Sequence, residues 1–191
     1  NGAIGLPVPS TEACIKDESG ADLPAGEVGE LCIRGPQVMK GYWQREEATR
    51  EVLDAEGWLR TGDVAIIQED GYMRIVDRKK DIIIRGGENI SCQEVEAAIY
   101  EHPDAKECAV FGLPDERLGE VVGAVVWMAP ESDVDGDALT QFLHQRLAAF
   151  KVPQRIWLAS GALPKLGSEK IDKVSLRERY RRDYLSETTA V

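Results

Sequence analysis

The chain has 191 residues, 43% of them hydrophobic, with 34 acidic side chains against 23 basic ones and a net charge of −11. The hydrophobic share supports a real core, enough for one full domain or for one domain plus a piece of another. The acidity argues against nucleic acid as a partner, since neutralising phosphates takes basic patches, and no run of about 18 apolar residues is present to cross a membrane as a helix.

The chain opens Asn1-Gly2-Ala3-Ile4-Gly5-Leu6-Pro7, which reads like a passage entered halfway, so a fragment of a longer protein is expected. Up to about Arg78 the sequence is rich in glycine and short alternating segments. Gly29 to Gly35 reads as a strand between glycines, and Glu46 to Leu53 is the one helical candidate. Val64–Ile67 and Tyr72–Val76 flank Gln68-Glu69-Asp70-Gly71, the signature of a hairpin with an Asp-Gly turn.

Beyond Arg78 the pattern changes. Ile82-Ile83-Ile84 is a short strand, followed by the loop Arg85-Gly86-Gly87-Glu88-Asn89. Ser91-Cys92-Gln93-Glu94 is a capping box, Val95, Ala98 and Ile99 mark a helical face, and Pro103 lies past its end. Strands are expected at Cys108–Leu113, Val121–Met128 and Arg155–Leu158. A second helix is read from the stripe Leu139, Phe142, Leu143, Leu147 and Phe150, and a final basic-faced helix from Val174 to Tyr184. The expected fold is α+β, a β-rich piece over residues 1–78 followed by a small α/β domain over 79–191, joined at Asp77-Arg78-Lys79-Lys80-Asp81.

The four cysteines, Cys14, Cys32, Cys92 and Cys108, are far apart with no C-x-x-C pair, and only His102 and His144 could assist them, so no metal cluster is expected. Cys32 and Cys108 read as small buried hydrophobes, and unpaired thiols fit a reducing cytoplasm.

Four segments could carry chemistry. Asp63, in Trp58-Leu59-Arg60-Thr61-Gly62-Asp63, is read as closing a tight turn before a strand, where a carboxylate can accept hydrogen bonds from a ribose diol; a plain turn aspartate is the blander alternative. At the joint, Arg78 offers a planar fork for phosphate or ribose and Lys80 a mobile charge, unless both are simply solvated. Gly86 and Gly87 before a helix would let a backbone approach an anionic ligand, though paired glycines also just make turns. Pro164-Lys165-Leu166-Gly167-Ser168-Glu169-Lys170 is a compact basic loop that lacks the Gly-Lys-Ser/Thr of a P-loop.

The order of these segments resembles the adenylate-forming (AMP-binding) superfamily, and within it the long-chain fatty-acid–CoA ligases. The residues that carry the likeness are Gly5–Ala13, Gly29–Leu31, Gly35–Met39, Gly41–Trp43, Trp58–Asp63, Asp77–Lys80, Phe150–Pro153 and Pro164–Lys170. The resemblance runs from Gly2 to about Tyr180. It implies an acid–thiol ligase: an acid reacts with ATP to give an acyl-adenylate, and coenzyme A then displaces AMP. It implies Asp63 on the ribose hydroxyls, Arg78 on the nucleotide, Lys80 as the hinge of a mobile C-terminal domain, and Lys170 as the catalytic lysine of adenylation. Gly86 and Gly87 are implied on the face that admits the pantetheine arm. The implied small molecules are ATP/AMP, coenzyme A, a carboxylic, by resemblance fatty, acid, and Mg2+ that enters with ATP and is not held by this stretch alone.

Two departures stand out. The family usually has glycine before the catalytic lysine, whereas this chain has Glu169, which costs roughly 1 kcal/mol if that backbone position needs a positive φ. The family's phosphate loop and acyl pocket lie upstream of these motifs, so the chain by itself is expected neither to adenylate nor to choose an acid. The alternatives are a catalytically silent module that binds a nucleotide, coenzyme A or a partner protein, and an adenylation domain serving a carrier protein. Lys80 stands against the latter, whose branch usually has Asp there. Arg177, Arg179, Arg181 and Arg182 could lie peripheral to an anionic membrane, with a solvated helix face the favoured reading.

Overall fold

The computed structural model describes residues 3–189; Asn1 and Gly2, where the opening and the family resemblance begin, lie outside the described residues. The chain divides between Lys80 and Asp81 into two compact units.

The first unit is one antiparallel sheet with a short helix. Its strands are β1 (Ala3–Gly5), β2 (Glu12–Lys16), β3 (Asp22–Leu23), β4 (Gly29–Arg34), β5 (Leu59–Ile67) and β6 (Met73–Arg78), in the order β1-β6-β5-β4-β2-β3. Helix α1 (Glu46–Val52) lies between β4 and β5 in sequence. Alternation sends Ile15, Leu31, Ala65 and Met73 into one core, with Ala13, Leu23, Ile33, Ile67 and Ile75 packed against it. The Asp-Gly turn forms where the sequence places it: Gly71 has φ +82° and Gln68 accepts its amide at 2.9 Å.

The second unit contains β7 (Ile82–Arg85), β8 (Glu88–Ser91), α2 (Cys92–Tyr100), β9 (Ala105–Asp115), β10 (Gly119–Met128), α3 (Gly136–His144), β11 (Arg155–Ala159) and α4 (Lys173–Thr189). Strand β10 is central, antiparallel to β9 and β7 and parallel to β11. Both faces of this sheet are covered, which explains why β9 and β10 read as nearly unbroken apolar runs. One face sends Cys108, Val110, Val122, Ala124 and Val126 to the core that α2 and α3 close with Val95, Ile99, Leu139 and Leu143. The other sends Ala109, Phe111, Leu113, Val121 and Val125 toward Leu176 and Tyr180 of α4. Those two residues are spaced four apart, one face of a helix. No helix among the described residues is long and apolar enough to cross a membrane.

The cap forms where the sequence places it: Ser91 Oγ accepts the Glu94 amide at 3.2 Å, and the Glu94 carboxylate also takes Lys151 Nζ at 2.7 Å. Two expectations are corrected. The stripe from Leu139 to Phe150 is not one helix, because α3 stops at His144; Leu147 and Phe150 still pack on the same core from the following turns. The segment after Ile84 is not a loop leading to a helix but a hairpin, with β8 intervening before α2. Glu88 and Asn89 are exposed and polar, so nothing in their composition marks a strand.

Candidate functional site

In the first unit, Asp63 and Arg78 face each other directly across β5 and β6. Arg78 Nε lies 2.7 Å from Asp63 Oδ1, with Asp63 largely covered at 22% exposure and Arg78 open at 56%. Asp63 does not close a turn before a strand, as its sequence suggests; it lies inside β5, at a bulge. From Cys32 to Glu30 β4 advances two positions, while its partner β5 runs four, from Arg60 to Val64. Gly62 absorbs the extra length with φ +72°. Thr61 Oγ1 then donates to Leu31 O at 2.8 Å and accepts the Asp63 amide at 3.1 Å, fixing the bend. A bulge of this kind re-aims one side chain without ending the ladder.

The joint beside this pair has one fixed and one free lysine. Lys79 Nζ is held 3.0 Å from Glu30, a carboxylate only 8% exposed, which Arg60 also approaches at 3.9 Å. Lys80 is exposed, closes the first unit, and has no ion-pair partner among the described residues. Glu30 was not singled out by sequence. The one signal was an acid in a strand otherwise bound for burial.

In the second unit, Gly86 and Gly87 are the two residues between Arg85 and Glu88, which pair in β7 and β8. Both have positive φ, +60° and +91°, as a two-residue type I′ hairpin requires. Gly86 donates its amide to Leu118 O at 2.7 Å, and a Cβ on it would come within 3.2 Å of the Leu118 side chain. The glycines therefore do not sit at the start of a helix; β8 separates them from α2.

Lys170 lies on a second small hairpin, where Lys165 and Ile171 form a bridge and Leu166 donates its amide to Lys170 O at 2.8 Å. Glu169 donates to Leu166 O at 2.9 Å and adopts φ +61°. The residue before the lysine thus stands in the left-handed region, where glycine is free of cost and a side chain is not.

Three lysines surround this hairpin and two are neutralised. Lys165 Nζ lies 2.9 Å from Glu107, whose other oxygen accepts the Leu163 amide at 2.7 Å. Lys173 Nζ lies 2.7 Å from Glu96, which also accepts the Val110 amide at 2.9 Å. The hydrogen bond from Lys165 holds the Glu107 carboxyl below its usual range. Lys170 is exposed and has no such partner among the described residues. No hydrogen bond or ion pair among the described residues joins it to Gly86 or Gly87.

Residues 1–43 match the family model of the AMP-binding enzymes, and residues 94–170 that of the AMP-binding enzyme C-terminal domain. A feruloyl-CoA synthase from Amycolatopsis sp is 49% identical over 179 residues, 94% of this chain and 36% of that protein. A long-chain-fatty-acid–CoA ligase from Salmonella typhimurium is 44% identical over 181 residues, 95% of this chain and 32% of that protein. Among solved structures, ATP-bound MatB from Rhodopseudomonas palustris superposes with a TM-score of 0.88 at 36% identity, covering 96% of this chain and 36% of that one. The chain spans about a third of the length of the relatives it matches.

Proposed function

This chain belongs to the AMP-binding enzyme family, and we propose that it forms the C-terminal third of an ATP-dependent acid–thiol ligase, which makes an acyl-CoA through an acyl-adenylate. In this reading the first unit closes the large AMP-binding domain and the second is the small C-terminal domain. The observation that carries it is overall identity of 44–49% to CoA-forming relatives over 179–181 residues, a stretch long enough to span both the Asp63–Arg78 pair and the Lys170 hairpin.

The residues divide the work as follows. The Asp63 carboxylate accepts the ribose hydroxyls, steadied by Arg78, whose open guanidinium face has further N–H groups for the nucleotide. Lys170 brings its ammonium to the substrate carboxylate and the α-phosphate of ATP as they are crowded together. A preorganised donor of this kind contributes about 3–4 kcal/mol. With Lys165 and Lys173 tied to acids, Lys170 is the lysine that can travel to a substrate. Lys80 is the hinge, its neighbour Lys79 being anchored, and the second unit swings about it between the two half-reactions. The bare backbone turn at Gly86 and Gly87 then admits the pantetheine arm of coenzyme A. Mg2+ comes with ATP. The four free thiols suit a reducing compartment such as the cytoplasm.

The acid is an apolar carboxylic acid. A fatty acid is our reading from the ligase relatives, and the 49% identity to a feruloyl-CoA synthase makes an aromatic acid the second. A chimaera in which this chain replaces the matching third of that synthase tests the assignment. It should form feruloyl-CoA from ferulate, ATP and coenzyme A. A folded chimaera that binds ATP and forms neither adenylate nor thioester would favour a silent module.

A further inference from the structure

The sheet of the first unit turns a pair of thiols away from its core. In the antiparallel register of β2 and β4, Cys14 lies directly opposite Cys32, between the pairs Glu12–Arg34 and Lys16–Glu30. Directly opposed residues point to the same side of a sheet, with Cα atoms about 4.5–5.5 Å apart. A disulfide spans about 4.4–6.8 Å between Cα atoms, so the backbone spacing of an opposed pair lies within its reach. One pair along, the side chains do meet: Arg34 Nε donates to Glu12 Oε1 at 2.9 Å. The intervening Ala13, Ile15, Leu31 and Ile33 face the core instead.

The two thiols differ in access. Cys32 is fully buried, whereas Cys14 is partly open. A cavity of about 350 Å³ reaches Cys32, its walls including Lys16, Arg50, Arg60 and Trp58.

We propose that Cys14 and Cys32 form a redox-active dithiol, oxidised across β2 and β4 by a low-molecular-weight disulfide. The Cys14 thiolate attacks one sulfur of the small disulfide, forming a mixed disulfide and expelling the other half as a thiolate. Cys32 gives its proton to the thiolate that has just been expelled. Its thiolate attacks the Cys14 sulfur, the Cys14–Cys32 bond forms, and the second half leaves. Two protein thiols are oxidised and one small disulfide is reduced to two thiols.

Burial holds both thiols protonated above their ordinary range, Cys32 up to about 11. Asp22 on β3 and Glu30 on β4 add to this, while Lys16 on β2, Arg34 on β4 and Arg60 on β5 oppose it. Oxidation is therefore slow at neutral pH and accelerates as pH rises.

The test takes the reduced chain, folded, with oxidised glutathione at mildly alkaline pH, and titrates thiols after quenching and unfolding. The four free thiols should fall to two. The intact mass should drop by two hydrogens, and a peptide map should join the segments holding Cys14 and Cys32. Cys32→Ser should stop at a glutathione adduct on Cys14, and Cys14→Ser should keep its remaining thiols. Should either variant fail to fold, the wild-type map still decides. Four surviving thiols, a glutathione adduct on Cys14 as the wild-type end product, or a bridge to Cys92 or Cys108 would each overturn the proposal.

Discussion

The two units hold their charged groups in opposite ways. In the first, Asp63 and Arg78 are already joined at 2.7 Å, on neighbouring strands, at a bulge fixed by Thr61. In the second, Lys170 stands exposed on a hairpin, while the lysines on either side of it are tied to Glu107 and Glu96. The first arrangement suits a group that must hold one ligand in one place, since rigid elements position side chains more closely than loops. The second suits a charge needed at one step and out of the way at the next. The surrounding acids quiet its neighbours without quieting it.

That contrast can be broken most forcefully at Lys170. In the feruloyl-CoA synthase chimaera, Lys170→Ala should lower ferulate-dependent ATP–pyrophosphate exchange about 100-fold or more, the loss expected for a preorganised donor. Thioester formation from supplied feruloyl-adenylate should be much less affected, and an equal fall in both would remove the division of labour. Lys173→Met should instead act on folding. It removes the ion pair to Glu96, whose side chain is only 14% exposed, and should cost about 1–3 kcal/mol in denaturant unfolding, with little effect on exchange per folded molecule. Glu169→Gly should stabilise the second unit by about 1 kcal/mol, because the left-handed turn then carries no side chain. An unchanged unfolding midpoint would show the turn to be unstrained.

The smallest effect concerns pH. The hydrogen bond from Lys165 lowers the Glu107 carboxyl below 4.5, its ordinary value, in the folded chain. A depressed folded value stabilises fully above the unfolded one and is lost as pH falls through the folded one. The difference in urea midpoint between wild type and Glu107→Gln should therefore be constant above the ordinary carboxylate range and close on acidification. A difference that persists in acid would mean that Glu107 acts by packing rather than by charge.

Local chemistry made much of this legible in the sequence. The Asp70-Gly71 turn, the Ser91 cap and the apolar runs of β9 and β10 each depend on residues close together in the chain, and each formed. What stayed hidden depends on distance. Glu30 finds Lys79 49 positions away, and no pattern around either residue announces the other. Glu96 and Glu107 are likewise paired with lysines far along the chain, so nothing local sets Lys170 apart from Lys165 and Lys173. The bulge at Asp63 was missed because Gly62 reads as a turn breaker, although one positive φ inside a strand serves equally well. Strand β8 was missed because an edge hairpin can be built from polar residues such as Glu88 and Asn89.

The long β9–β10 ladder also bears on the order of events during folding. Its strands pair from Ala105–Met128 down to Asp115–Gly119, across a connection of only Glu116, Arg117 and Leu118. Closing so short a loop costs little chain entropy, and hairpins of this kind form within microseconds. Helix α4 begins at Lys173, well over forty residues beyond the end of β10 at Met128, yet it covers Phe111 and Val125 of that hairpin. The nascent hairpin therefore forms with one apolar face bare and waits for α4 to arrive. That interval is when this chain is most exposed to aggregation, and destabilising the docking of Leu176 and Tyr180 would lengthen it.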